Sequence, residues 1–427
     1  MVRLADNKHY TEDRPIEALP LPARVYLPLS QHLGKACNPE VKVGDMVLTG
    51  QRIASIEAHV TAPVHASISG RVSAIQQWPH PVLGRCQAIV IEGDGKDEKA
   101  FPGGRTDSQA EKLAPDDIRQ IVRDAGIVGM GGASFPSYIK LTPPKPVDVL
   151  LVNAAECEPY LTGDYRLMIE KTPEILKGTR AVAGCLGVKK VFIAVEDNKP
   201  AAIARFRDLT GERGIDISVK VLKSAYPQGG EKQLISKIMG KDVPSGKLPF
   251  EIGVVVHNVA TLFAVYEAVY CGRPLYQRVV TVTGSQLESP RNLLVRLGTP
   301  IRELIGFCKP RVEGISRIII GGPMMGIAQY TQDVPVIKST TGIVLFNEKE
   351  APVLEEDFCI RCGACVRACP AGLMPCLINL ASEKGLWEEA KAYRALDCIE
   401  CGLCNYVCPA SRRLTQSIKR AKLEVAK

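Results

Sequence analysis

The sequence predicts a multidomain protein of mixed α/β and β class. A small all-β unit comes first, then an α/β unit with a largely parallel sheet, then a β-grasp-like module, and last a helical section built around cysteines. Three observations predict this order. Short Val/Ile runs broken by glycine turns fill the N-terminal stretch. From Asp116 apolar runs alternate with segments of helical spacing. Two complete cysteine quartets lie near the C-terminus.

The all-β unit is expected over residues 1–110. VKVGDMVLTGQRIA (Val41–Ala54) reads as strand, Gly-Asp turn, strand, glycine turn and strand; TAPVHASISGRVSAI (Thr61–Ile75) continues the pattern and CQAIVIEGDG closes it. Frequent turns between alternating Val and Ile runs make a small sandwich or barrel. FPGGRTDSQAE (Phe101–Glu111) reads as a linker. The α/β unit follows over residues 115–275. DDIRQIVRDAG has helical spacing and ends at Gly126, and buried strands are expected at Val147–Val152, Val191–Val195, Ile217–Leu222 and Ile252–Val256. Helices fall between them, including Ala201–Leu209 and Gly230–Met239, and such alternation implies parallel pairing. A further helix, Val259–Tyr270, stops at Gly272 with Pro274 beyond it, as helices do when a glycine ends them and a proline bars continuation. RVVTVTG (Arg278–Gly284) opens the third unit, over residues 278–345. There LLVRLGTPIRELIGFC resembles a short helix and turn, and RIIIGGPMMG (Arg317–Gly326) is a strand into a glycine turn. The cysteine section occupies residues 350–427.

Composition narrows the function. The chain has 427 residues, is 46% hydrophobic and 23% charged, and carries a net charge of +8. That is the profile of a folded globular protein and mild for a nucleic-acid binder, which concentrates its basic residues and interleaves aromatics; no nucleic-acid partner is expected. The basic residues gather only at the end (Arg412, Arg413, Lys419, Arg420, Lys422, Lys427), either as a solvated helix face or as a docking patch for an anionic surface. The most apolar stretch, Ile252 to Tyr270, contains His257, Asn258, Thr261 and Glu267, so a bilayer span is not expected. The N-terminus has no apolar signal region, and a cytoplasmic location is expected.

There are 15 cysteines, an odd count that argues against a disulfide framework. Eight form two runs: Cys359, Cys362, Cys365 and Cys369, then Cys398, Cys401, Cys404 and Cys408, each run followed by proline. This C-x2-C-x2-C-x3-C-P spacing is the bacterial two-cluster pattern, in which the fourth cysteine of each run ligates the other cluster. Three thiolates on a tight turn match three corners of a cubane and a distant fourth closes it. One [4Fe–4S] cluster is therefore assigned to Cys359, Cys362, Cys365 and Cys408, the other to Cys398, Cys401, Cys404 and Cys369. Zinc would favour two separated CxxC pairs. Leu377–Leu396 has helical spacing broken near Gly385, enough to hold the runs side by side. The remaining cysteines (Cys37, Cys86, Cys157, Cys185, Cys271, Cys308, Cys376) are scattered and most read as ordinary buried residues, with Cys157 alone in a loop of interest.

That loop belongs to a second candidate site. GMGGASFP supplies Gly129, Gly131 and Gly132, and Lys140 follows. Glycines let backbone N–H groups approach a phosphate, yet the loop follows a helix rather than a strand and is not the usual dinucleotide fingerprint. Alone it fits a structural turn as well as a phosphate cradle. Downstream, the expected strand 147–152 runs into Asn153, Glu156 and Glu158 at its carboxyl end, where ligands of open α/β sheets bind. The acidic pair also fits a helix-starting cap. Gly230 and Glu231 open another helix, and His257-Asn258 follows another strand.

GMGGASFPSYIKL, NAAECEPYLTGDYRLM, YPQGGEKQLI and VVVHNVAT, followed by the paired cysteine runs, resemble the RnfC family, the peripheral subunits of Rnf ion-translocating electron-transport complexes. The similarity covers nearly the whole chain, and the central part also resembles the flavin-binding subunit of respiratory complex I. The resemblance implies an N-terminal barrel-sandwich hybrid, an FMN- and NADH-binding α/β domain, an SLBB-like β-grasp module matching Arg278–Cys308 and a two-cluster ferredoxin-like domain. It implies that Gly129, Gly131, Gly132 and Lys140 face FMN and NADH phosphates. Asn153, Glu156 and Glu158 would contact flavin or nicotinamide, and Gly230, Glu231, Asn258 and Thr261 would complete the pocket. Ala155 and His257 depart from the complex I pattern, which has an acidic residue and an asparagine there. The implied partners are the integral membrane subunits and an iron–sulfur subunit of the complex, with ferredoxin. The implied place is peripheral, on the cytoplasmic face of the bacterial inner membrane. Two other readings use the same residues: a soluble flavin and iron–sulfur reductase like the cobalamin reductase of propanediol metabolism, in which the β-rich unit is expected last, and a cluster-carrying adaptor with an empty flavin pocket.

Overall fold

The structure, a computed structural model, describes residues 2–101, 103–210, 215–311 and 314–426. Its centre is a four-stranded parallel sheet in the order Asp216–Leu222, Lys190–Glu196, Val149–Ala154, Val254–Asn258. The strands are runs such as VLLVNA, apolar on both faces because helices cover both. Thr172–Leu186 packs along Val259–Cys271, and that second helix is buried nearly all round. Its burial explains the most apolar stretch of the sequence. No helix among the described residues is long and apolar enough to cross a membrane. Gly272, at φ +66°, ends the helix as expected.

In front lie a four-stranded sheet (Arg24–Pro28, Gly84–Gly93, Gly70–His80, Met46–Val47) and a three-stranded one (Asn38–Pro39, Arg52–Ser55, Val64–His65). The all-β expectation holds, with corrections in detail. Val41–Val43 is not a strand; Val41 is buried, but Val43 is exposed and the segment leads into the Gly44-Asp45 turn without pairing. Of the expected linker, 107–111 is a helix, because Thr106 and Gln109 close a capping box on it; Pro102 lies outside the described residues. Residues 2–18 leave this unit. Ile16–Ala18 pairs with Arg291–Arg296 at the edge of the third sheet, and Lys8 reaches the loop after Val149–Ala154.

The third sheet runs in the order Ile16–Ala18, Arg291–Arg296, Gln277–Thr283, Gly342–Phe346, Arg317–Ile320, Ile327–Ala328. The segment read as helix and turn is strand first (Arg291–Arg296) and helix only from Ile301 to Phe307, since residues such as Leu293 and Val295 pack against a sheet neighbour. One hydrophobic core runs through these three units. Lys338 helps lock them: its buried ammonium donates to the carbonyls of Pro63 and Gly126, both at 2.7 Å, and burial pushes its pKa down to about 7.

The C-terminal unit has its own core, formed by Pro375–Glu383, Trp387–Ala392 and Leu414–Val425. The helix pair broken at Gly385 stands where the sequence put it. The terminal basic residues are largely spent within the unit. Arg412 and Arg413 pair with Glu356, Arg412 also with Glu383, Lys419 and Lys422 with Glu400, and Arg420 lies over Trp387. That arrangement favours the solvated helix face over a docking patch; Lys427 lies outside the described residues.

Candidate functional site: a nucleotide crevice beside a thiol-lined cavity

The connections of the parallel sheet diverge at Val149–Ala154: the chain goes first to one side of this strand and later returns on the other with Val254–Asn258. A crevice opens outside the carboxyl ends at such a switch point. Here Asn153 and Asn258 stand in register across it. Asn258 caps the helix that follows, its Oδ1 accepting from the N–H groups of Ala260 and Thr261, and its Nδ2 donates to Asp164 at 2.6 Å. The glycine loop folds against it. Met130 N–H donates to Thr261 Oγ1 at 2.9 Å, and a Cβ on Gly131 would stand 2.7 Å from Asn258 Nδ2. Gly131 is therefore glycine for close approach. A Cβ on Gly132 would meet nothing within 4 Å, so that backbone faces open space. Asn153 Nδ2 donates to the carbonyl of Gly229, which joins the YPQGG turn to the crevice. Lys140 pairs with Glu231 at 2.6 Å and donates to the carbonyl of Val256. The structure thus gathers Gly129, Gly131, Gly132, Lys140, Asn153, Gly230, Glu231, Asn258 and Thr261 about one sheet end.

Glu156 and Glu158 do not project freely there. Glu156 accepts from the N–H groups of Asp164 and Tyr165, and Lys8 lies 3.9 Å away. Burial pushes the Glu156 and Asp164 carboxyls up and the Lys8 ammonium down; in each, burial outweighs the attraction of its neighbours. Glu158 accepts from the N–H groups of Met324 and Met325 and lies 3.4 Å from the Tyr226 hydroxyl. A Cβ on Gly322 would stand 2.1 Å from its carboxylate, which explains that glycine. Sequence reasoning missed the contacts of Lys8, Asp164, Tyr226 and the Met324-Met325 turn with the acidic pair. Asp164, Tyr226 and the two methionines stood inside quoted motifs, but Lys8, Tyr226 and the methionines reach Glu156 and Glu158 from distant segments, which local pattern does not show.

Burial pushes Glu158 up to about 7 from its ordinary 4.5. Between those values the unfolded chain has released the proton while the folded chain keeps it, so stability falls as pH rises through that window. The full difference is worth about 3 kcal/mol. Relative to Glu158→Gln, the unaltered protein should lose about that much in urea unfolding between pH 4.5 and pH 8. An offset that does not change with pH would contradict this.

The cysteine runs repeat one backbone. Arg361 and Glu400 have φ of +56° and +58°, Gly363 and Gly402 +72° and +77°, and Gly372 and Ser411 +61° and +50°. Left-handed residues at matching positions give the two runs the same coil. Cys369, Cys398, Cys401 and Cys404 line one cavity, with Pro370, Leu373 and Ile418 among its apolar walls. That set takes one cysteine from the first run and three from the second, the crossed arrangement expected from the spacing. In the first run Cys359 and Cys362 are exposed, and Cys365 is buried beside Cys376. Burial pushes Cys157 up to about 12, which makes it a poor nucleophile. Its Sγ accepts from Gly229 N–H.

The donor sets fit the groups expected. Four thiols around an apolar-walled cavity suit an iron–sulfur cluster. In the α/β unit Ser137 Oγ, Gln228 Nε2, Gln233 Oε1 and His257 Nε2 are buried without partners on segments bordering the crevice, polar atoms left for a ligand such as FMN.

This combination defines a flavin and iron–sulfur electron-transfer protein. Family models match in the same order: the RnfC barrel sandwich hybrid domain over residues 2–96, the Nuo51 FMN-binding domain over 122–267 and the 4Fe-4S dicluster domain over 351–420. Full-length relatives go further. The chain is 47% identical over 422 residues to a subunit of the proton-translocating ferredoxin:NAD(+) oxidoreductase complex of Clostridium ljungdahlii, covering 98% of this chain and 92% of that one. It is 42% identical to the Na(+)-translocating counterpart of Acetobacterium woodii, covering 98% and 94%. It is 43% identical to the corresponding subunit of the ion-translocating oxidoreductase complex of Rhodobacter capsulatus, covering 90% and 74%. The chain belongs to the RnfC family. An NAD+-reducing [NiFe]-hydrogenase in the H2-reduced state shares the fold, with TM-score 0.54 at 20% identity over 74% of this chain and 63% of that one.

Proposed function

We propose that this chain is the RnfC-type subunit of a membrane-bound Rnf complex that passes electrons between NADH and ferredoxin, with ion translocation performed by partner subunits. The carrying observation is that one chain joins the nucleotide crevice at Asn153 and Asn258 to the thiol-lined cavity of Cys369, Cys398, Cys401 and Cys404. FMN would supply the exchange between two-electron and one-electron chemistry when bound, and the clusters single-electron transfer. The chain's own residues bind and orient. Gly131 and Gly132 bring backbone to the ligand, Lys140 sets a cation at its edge, and Asn153, Asn258 and Thr261 fix the two strand ends. The cysteines take the ligand roles assigned above, with Cys359, Cys362, Cys365 and Cys408 as the second set.

The third sheet has the order expected of a β-grasp core, two hairpin strands (Gln277–Thr283, Arg291–Arg296) beside Gly342–Phe346 and Arg317–Ile320 with a helix between. This supports its reading as the SLBB-like module. A peripheral place on the cytoplasmic face of the inner membrane, held by the integral subunits, fits a chain with no spanning helix among its described residues. The β-rich unit stands first, as in the Rnf family, and not last, as expected of the cobalamin-reductase reading. Anaerobic purification should yield a flavin, a broad iron–sulfur absorption and its bleaching by NADH. Protein with iron but with neither flavin nor bleaching would leave only an adaptor.

A further inference from the structure

The two cysteine runs are near-copies in backbone, and that likeness exposes one difference. In each run the carbonyl of the second cysteine is taken by a hydrogen bond. In the first run the carbonyl of Cys362 accepts from Arg367 Nη1 at 3.0 Å, an exposed bond from the same turn of the same run. In the second run the carbonyl of Cys401 accepts at 2.8 Å from the hydroxyl of Tyr226, which belongs to the α/β unit 175 residues away in sequence and is buried.

Contacts around this bond all point the same way. Tyr226, Cys401 and Leu403 share a small apolar cluster with Leu4, Cys157, Met324 and Ile399. A Cβ on Gly402 would stand 2.6 Å from the carbonyl of Met324, so the second run sits directly on the turn that Glu158 holds by two amides. Ser245 of the α/β unit donates to Asp397, the neighbour of Cys398, at 2.6 Å. Around the first run the picture reverses: Phe358 and Ile360 are 87% and 68% exposed, and Cys359 and Cys362 are exposed with them.

We infer that Tyr226 is a positioning residue for the cluster site of Cys369, Cys398, Cys401 and Cys404. Its hydroxyl ties this site, and not the other, to the nucleotide-binding unit through the Cys401 carbonyl. The Cys401 site is thus the inner of the two and the Cys359 site the outer. A hydroxyl drawing on the carbonyl of a ligating cysteine acts from the shell that sets the properties of a cluster. The inference rests on the reading that the runs hold two clusters.

Tyr226→Phe removes the hydroxyl and keeps the ring, and the backbone pairing of Tyr226 with Val2 is untouched. In anaerobically purified full-length protein, an EPR-monitored redox titration should show one cluster with a shifted midpoint potential and the other unchanged. Iron release to a chelator should quicken about fivefold for about half of the iron, the factor one buried hydrogen bond is worth. In a Cys359→Ala background, which lacks the outer cluster, the remaining signal should be the one that Tyr226→Phe shifts. Equal shifts in both clusters, a shift in neither, or a shift confined to the cluster lost with Cys359 would overturn the assignment. Unaltered protein without any iron–sulfur signal would overturn the cluster reading itself.

Discussion

Cys369→Ala should abolish the cluster whose other three ligands lie about thirty residues downstream, and leave intact the cluster formed mainly by its own run. The reason is the cavity: Cys369 stands with Cys398, Cys401 and Cys404, and a cubane with three thiolates and no fourth is labile. Iron per chain should fall by about half. The inner wall should loosen as well, because metal binding and local folding are coupled and Leu373 N–H loses its acceptor on Cys369 Sγ. Cys408→Ala should give the complementary loss, removing the cluster of Cys359, Cys362 and Cys365. Iron analysis with EPR of each variant separates the two cases. If Cys369→Ala removed the signal that is also lost in Cys362→Ala, and spared the one lost in Cys401→Ala, the crossing would be refuted.

The grouping of three cysteines of a run was legible in the spacing, since cysteines at i, i+3 and i+6 can converge only on a tight turn, and Cys369 stands with the second run as the two-cluster pattern expects. The parallel strands were legible for a similar reason, since runs such as VFIAV need cover on both faces. What stayed hidden depends on distant chain. Glu156 and Glu158 were visible as acidic residues after a strand, but their neighbours were not. Lys8 approaches Glu156 from the N-terminal segment and the Met324-Met325 turn approaches Glu158 from the third sheet. Pattern reading treats each segment by its own periodicity and is blind to such approaches. Arg291–Arg296 failed differently. LLVR fits a helix and a strand equally, and only pairing with Gln277–Thr283 decides. Tyr226 stood at the head of a quoted motif, YPQGG, yet its contact gave no signal, because nothing local marks a tyrosine whose hydroxyl bonds a carbonyl in another unit.

Asn258 offers the sharpest test of the crevice, because one side chain does three things there. It caps the helix Val259–Cys271, it holds the buried carboxyl of Asp164 at 2.6 Å, and it fills the space that Gly131 leaves. Asn258→Ala should cost about 1 kcal/mol for the cap and about 2 kcal/mol more for a buried carboxyl stripped of its donor. Flavin retained after gel filtration should fall with it, since the glycine loop loses the surface it rests on. Asn258→Asp separates these effects. It keeps an acceptor for the Ala260 and Thr261 amides but sets a second carboxyl against Asp164, whose own carboxyl burial already pushes up. Two such groups in contact share one proton. The aspartate variant should therefore approach the unaltered protein at pH 5 and lose stability as pH rises and that proton leaves, while the alanine variant should be impaired at both ends. Thermal unfolding at pH 5 and pH 8 reads the difference. If the aspartate variant lost no more stability between the two pH values than the unaltered protein does, Asn258 would not be facing Asp164 in the folded protein, and the crevice would need another arrangement.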